Sequence, residues 1–162
     1  MVENGPDRLP GRNEMAAYRC FLRAHARVTR CLEGELLSEQ HLSLAAYEVL
    51  EALERAPRRR LRMTELADAV LLSRSGVTRL VDRLQRLGLV RRSRVSSDGR
   101  GVLAVITGRG RSRLETASVS YLDGVARYFV SVAGDDLEAL ARTCERLAAG
   151  GVPAPPSSGV QA

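Results

Sequence analysis

Ser73-Arg74-Ser75-Gly76-Val77-Thr78-Arg79-Leu80-Val81-Asp82-Arg83-Leu84-Gln85-Arg86-Leu87-Gly88 is the stretch that decides the fold. Val77, Leu80, Val81, Leu84 and Leu87 recur at three- and four-residue steps, which predicts an amphipathic helix over residues 74–87. Its other side carries Arg74, Ser75, Thr78, Arg79, Asp82, Arg83 and Arg86. Ser73 stands where a hydroxyl caps the first turn, and Gly88 where a left-handed residue ends the last.

Working outward, Thr64 is expected to open a short helix carrying Leu66, Ala67 and Val70, with Leu71-Leu72 leading into the turn before Ser73. Ser43 is a cap for a helix with Leu44, Tyr47, Leu50 and Leu53 that stops before Pro57. Further upstream, Ala17, Phe21, Ala24, Val28, Cys31 and Leu32 mark one face of a long helix over 13–37. Downstream of Gly88 the period changes to that of strands. Residues 89–95 and 102–106 read as a hairpin joined by Ser96-Ser97-Asp98-Gly99-Arg100-Gly101, whose Asp-Gly step is a turn signal. A second long helix bears Leu114, Ala117, Tyr121, Leu122, Val125, Phe129 and Val132 and breaks at Gly134. Asp135 with Glu138 forms a capping-box-like start to a last helix with Leu137, Leu140, Ala141, Cys144, Leu147 and Ala148. Residues 1–11 and 150–162, rich in Gly and Pro, are expected to lack fixed structure.

The charge is distributed unevenly. Every basic residue is an arginine, and residues 55–113 hold sixteen of them against Glu65, Asp68, Asp82 and Asp98, a net of +12. The flanks hold nine Arg against fifteen acids, a net of −6, so the total of +6 understates a strongly basic middle. That is the electrostatic footprint of a polyanion-binding face beside a separate part that meets protein. Aromatic residues make up only 4% and Trp is absent, so the core must be aliphatic, which suits packed helices. Three scattered cysteines do not form a disulfide framework. No apolar run approaches the ~18 residues that span a bilayer, and a reduced, cytoplasmic protein is expected.

The sequence resembles the MarR family of bacterial transcriptional regulators over 13–149. The resemblance rests on Thr64-Glu65-Leu66-Ala67, on Leu72 to Leu84, on Leu87-Gly88-Leu89-Val90, and on Asp98-Gly99-Arg100 followed by Ile106-Thr107 and Gly110. Two departures stand out. Gly101, Val102 and Leu103 occupy a stretch where the family often carries further charge, and Gly76 replaces a small polar residue. The expected fold is mainly α with a small β-hairpin wing: a winged helix-turn-helix over 43–107, with dimerisation helices over 12–42 and 108–149 forming one domain with it over 12–149.

A major groove about 12 Å wide admits one α-helix, whose amino-terminal part lies nearest the base edges. Arg74, Ser75, Thr78 and Arg79 fall there and are expected to read bases. Ser73 is expected to cap the helix and offer its amides to a phosphate, joined at the phosphates by Arg83, Arg91, Arg92 and Arg94, with simple solvation the alternative for Arg83 and Arg86. Arg100 is expected in the minor groove, with Asp98 orienting it and shaping the turn. The run Arg58-Arg59-Arg60 with Arg62 reads as a solvated face, with approach to the phosphate backbone beside the motif the alternative.

The resemblance implies a homodimer on an inverted-repeat site in double-stranded DNA, acting as a repressor. Apolar stripes on the first and last helices, too large for a small winged domain to cover, point to the same pairing. It also implies release by a small aromatic or phenolic effector; Tyr18, Arg23, His25 and Tyr47 are candidates by region only. For Cys20 a buried structural role is the default and a redox role the alternative, while Cys31 and Cys144 are expected in the core. Cys20 and Cys31, roughly 16 Å apart along one helix, are too distant to share a metal, so no metal and no cofactor are expected. With two histidines, no Ser-His-acid pattern, and Gly108-Arg109-Gly110 lacking the context of a dinucleotide site, catalysis is not expected. A thiol- or metal-responsive regulator of the same fold is the alternative. A non-DNA interaction protein is a remote one that leaves the basic middle without purpose.

Overall fold

The amides at a helix start lack partners within the helix, so the helices that open at Leu44, Met63, Arg74 and Gly108 begin where a side chain supplies one. In the computed structural model, which describes residues 9–94 and 101–149, Ser43 Oγ accepts from the Ala46 amide at 3.2 Å and starts α2 (Leu44–Arg55). Glu33, on the long first helix α1 (Arg12–Gln40), accepts from the Leu44 amide and seats the two helices together. Pro57 then stops α2, and a tight turn over Pro57–Arg59 leads into β1 (Arg60–Arg62). The helix expected from Thr64 begins one residue earlier, as α3 (Met63–Ala69), because Glu65 reaches back to accept from the Arg62 amide at 2.8 Å.

The decisive helix is α4 (Arg74–Arg86). Gly88, at φ +71°, adopts the left-handed backbone that ends it, and the Leu89 amide returns to the Leu84 carbonyl at 2.9 Å. The wing strands follow as β2 (Val90–Arg94) and β3 (Val102–Ile106), antiparallel, with Val90 opposite Ile106 and Arg94 opposite Val102. The sheet has three strands where the sequence suggested two. β1 pairs with the other edge of β3, with Leu61 opposite Ala104, so part of the arginine run is structural. A three-residue strand with one apolar residue carries no periodic signal and forms only because β3 presents an open edge.

The core sits between these elements. Leu50 and Leu53 of α2, Leu66 of α3, Val77, Val81 and Leu84 of α4, and Val90 and Ala104 of the sheet are all nearly or fully buried. Leu32 and Leu36 of α1, with Leu114 and Ala117 of α5 (Gly108–Val125), extend the same cluster. Leu87, expected in the buried stripe, is 47% exposed, because the helix has already ended and the backbone is turning at Gly88.

The long helix α5 continues through a π-helical turn, Ala126–Val130, and α6 (Ser131–Ala133) before Gly134 breaks it at φ +50°. Gly124 permits a close approach to α1: a Cβ there would lie 2.7 Å from Glu35 and 2.8 Å from Leu32. Just beyond it, Arg127 and Tyr128 both bond Glu35, at 2.8 and 2.5 Å. The capping box expected at Asp135 and Glu138 does not form. Gly134–Asp136 is a 3-10 turn, and α7 (Leu137–Ala148) starts without a side-chain cap. No residue of α7 is buried, so Cys144 is exposed instead of lying in a core, and the amino half of α1 is likewise uncovered. The expectations for residues 1–8 and 150–162 lie outside the described residues.

Candidate nucleic-acid interface

Burial of Val77, Val81 and Leu84 fixes the rotation of α4 and leaves Arg74, Ser75, Thr78, Arg79, Arg83 and Arg86 exposed, as the stripe required. Ser73 Oγ accepts from the Gly76 amide at 3.1 Å and lies 3.2 Å from Ser75 Oγ. A Cβ on residue 76 would stand 3.1 Å from Ser73 Oγ, so Gly76 leaves the cap room. Thr78 Oγ1 donates to the Arg74 carbonyl at 2.8 Å, which leaves its lone pairs outward as acceptors.

Arg92 departs from expectation. Its Nη1 binds Asp82 Oδ1 at 2.5 Å and its Nη2 reaches the Thr78 carbonyl at 3.4 Å, so this guanidinium ties β2 to α4 instead of being free for a phosphate. The signal was in the sequence: Asp82 is the one acid on the arginine-rich face of α4, ten residues before Arg92. Arg91 and Arg94 are exposed, with strand alternation placing Arg91 on the opposite face from Arg92 and Arg94. Asp98 and Arg100 lie outside the described residues. In the Arg58 to Arg62 run, Arg59 pairs with Glu54 at 2.9 Å, and Arg60 and Arg62 belong to β1.

Behind the sheet-side end of α2 lies a cavity of about 470 Å³. Glu48, Glu51 and Arg55 of α2, Leu61 of β1, Leu71 of the turn before α4, and Tyr121 of α5 line it. None of Tyr18, Arg23, His25 and Tyr47 does. Tyr47 is buried behind it, stacked on Tyr121 with ring centroids 4.3 Å apart. Ser118 Oγ spends its proton on the Leu114 carbonyl, so the Tyr47 hydroxyl donates to Ser118 at 3.2 Å. Burial pushes the phenols of Tyr47 and Tyr121 above their ordinary range. The Glu48 carboxyl is raised too, first by burial and then by the neighbouring charges of Glu51 and Glu33. Glu48 and Glu51, one helical turn apart, read as a solvated acidic face, and only the folded arrangement shows that they meet Tyr121.

Cys20 is exposed, contrary to its default as a core residue, with Arg23 Nη2 donating to its sulfur at 3.3 Å. Among the described residues no group of three or more His, Cys, Asp or Glu could hold a metal ion, and no helix is long and apolar enough to cross a membrane.

A capped helix presenting arginines and hydroxyls, a two-residue clamp to the first wing strand, and a third strand bracing the hairpin together define a winged helix-turn-helix. The profile of the MarR family matches this unit, over residues 42–101. The MarR likeness extends to nearly the whole chain in solved structures. AbsC, a MarR family transcriptional regulator from Streptomyces coelicolor, is 29% identical with a TM-score of 0.79, over 88% of this chain and 96% of that one. Sco3205 from the same organism, a MarR family transcriptional regulator solved in complex with DNA, is 28% identical with a TM-score of 0.82, over 95% and 96%. Sco5413, a third MarR family regulator from that organism, is 28% identical with a TM-score of 0.71, over 86% and 97%. No curated protein sequence matches.

Proposed function

We propose that this chain is a sequence-specific DNA-binding transcriptional regulator, a homodimeric repressor acting in the cytoplasm on an inverted-repeat operator. The observation that carries the reading is the exposed face of α4, where a buried stripe and a serine cap hold Arg74, Ser75, Thr78 and Arg79 outward at the amino-terminal end. Arginine grips guanine with two bonds, and Ser or Thr bonds a base or phosphate, so this face reads sequence. The amides behind Ser73, with Arg83, Arg91 and Arg94, supply phosphate contacts; Arg92 serves by holding the wing to the helix. Asp98 and Arg100 remain the proposed minor-groove contact. The DNA complex of Sco3205, similar over almost all of both chains, supports this.

Pairing follows from the surface. Tyr18, Phe21 and Leu22 of α1 and Leu122, Phe129 and Val132 of the carboxy-terminal helices are exposed within one chain. A second copy covers such faces symmetrically and doubles the base pairs read. The cavity between α2, the α3–α4 turn and α5 is the place for a small effector that releases DNA by favouring one setting of α4 over another. Exposed Cys20 beside Arg23 supports a thiol-responsive regulator as the second reading; alkylation of that thiol would then change DNA retention.

The test is retention of genomic fragments by purified protein at low salt. Specific fragments should be retained, and Arg79→Ala should flatten the preference among them, by about 1–3 kcal/mol per lost bidentate contact. Retention of no fragment at low salt overturns the reading.

A further inference from the structure

The cavity described above is acidic, although the molecule as a whole carries +6. Among the described residues that line it, the one guanidinium, that of Arg55, is already engaged by Glu51 at 2.8 Å. Glu48 forms no ion pair or hydrogen bond among the described residues. The charges around it are Glu51 on its own helix and Glu33 and His25 on α1, with Tyr47 and Tyr121 the neighbouring phenols; Arg55 faces Glu51 and the two tyrosines. Burial and the two other carboxylates all disfavour its charge, and His25 opposes them only in part. A phenolate or carboxylate placed here would add another negative charge beside Glu48, whose own charge burial and its neighbours already disfavour.

The remaining walls are apolar and aromatic. Leu61, Val70 and Leu71 supply aliphatic surface, and the Tyr121 ring, backed by Tyr47, offers a π face of the kind that attracts cations. A volume of about 470 Å³ is that of a small-molecule site. We propose that the effector is a cationic aromatic compound, its positive centre between Glu48 and Glu51 and its apolar body against Tyr121, Leu61 and Leu71. The carboxylates set the ligand's charge, and the cavity and its aromatic wall set its size and shape. This inference rests on the regulator reading above and departs from the phenolic effector that the family resemblance implied.

The same geometry connects binding to output. Leu71 is 92% exposed and held at φ +52°, a left-handed backbone that a leucine rarely adopts, two residues before the Ser73 cap. A ligand reaching from Glu48 to Leu71 therefore touches both the α2–α5 scaffold and the turn that aims α4. Its binding energy can favour one angle between them.

The experiment uses a matched pair of ions of the same shape and opposite charge, tetraphenylphosphonium and tetraphenylborate, titrated calorimetrically into the full-length protein without DNA. The phosphonium should bind at least about tenfold more tightly, the scale of one partly shielded charge pair, against the pull of the net positive charge of the protein. Glu48→Gln should remove about that factor for the phosphonium and leave or improve binding of the borate. Binding of salicylate or the borate as tight as that of the phosphonium, binding of neither ion, or a phosphonium affinity unchanged in both Glu48→Gln and Glu51→Gln overturns the proposal. Each variant's DNA retention without ligand is measured alongside. Normal retention shows that the variant is folded and that the regulator reading stands whatever the titration gives; failure of the unmodified protein to retain DNA is a separate failure, of that reading.

Discussion

Thr107 and Gly110 show how much one turn of backbone can depend on two side chains. Thr107 Oγ1 caps α5 by accepting from the Gly110 amide at 2.9 Å and donates its own proton to the Gly88 carbonyl at 2.7 Å. The exit of α4 and the start of α5 are therefore joined through one hydroxyl. Gly110 lies directly under the Leu89 carbonyl, and a Cβ there would meet that oxygen at 2.1 Å. Backbone oxygen cannot swing aside as a side chain can. Gly110→Ala is expected to cost at least about 2 kcal/mol, read as a lowered urea midpoint, whereas Gly108→Ala, with open space around its Cβ, should change it little. Equal midpoints for the two variants would contradict the contact.

Among the elements, the paired wing strands β2 and β3 are braced from both sides, by α4 and by β1. The Asp82–Arg92 pair bridges α4 to β2, with both side chains roughly a third exposed. Solvent reduces such a pair to about 0.5–1 kcal/mol of stability. Its consequence for DNA should be larger than its consequence for folding, because it fixes the wing relative to the reading helix. Asp82→Ala should leave thermal stability within a few degrees of the parent yet weaken operator retention, although it removes a negative charge from a face that meets phosphate. Charge alone predicts tighter binding from that change, so the sign of the effect distinguishes positioning from electrostatics. On the other side, β1 braces β3 through Leu61 opposite Ala104, a support invisible in a stretch that reads as a run of arginines.

At the scale of the whole molecule, two sets of apolar side chains stand exposed among the described residues: Tyr18, Phe21 and Leu22 on the amino half of α1, and Leu122, Val130, Val132 and Leu147 on the carboxy-terminal helices. Phe21→Asp, at a position 47% exposed in the single chain, should leave the winged unit folded and shift sedimentation to that of a monomer, with loss of operator retention. A dimer unchanged by this substitution would place the interface elsewhere. Phosphate contact should also show as salt dependence. Arg91→Ala removes one cation from each protomer, so the slope of log affinity against log salt should become shallower by about 2 for the pair.

The sequence by itself determined the local elements. The stripe of α4, its Ser73 cap and Gly88 end, the helix break at Gly134 and the change to a strand period after Gly88 are all set by residues within a few positions of one another, where periodicity and capping act. The exposure of Arg74, Ser75, Thr78 and Arg79 follows from the same stripe. Tertiary structure alone decided what depends on residues distant in the chain: that Arg92 is held by Asp82, that three arginine-flanked residues become a strand on the free edge of β3, that Leu87 faces outward, and that Glu48 and Glu51 share a cavity with Tyr121, seventy residues away. A charged side chain looks the same in sequence whether it faces water, a partner or a cavity. Only the packing of one element on another gives it the neighbours that fix its role.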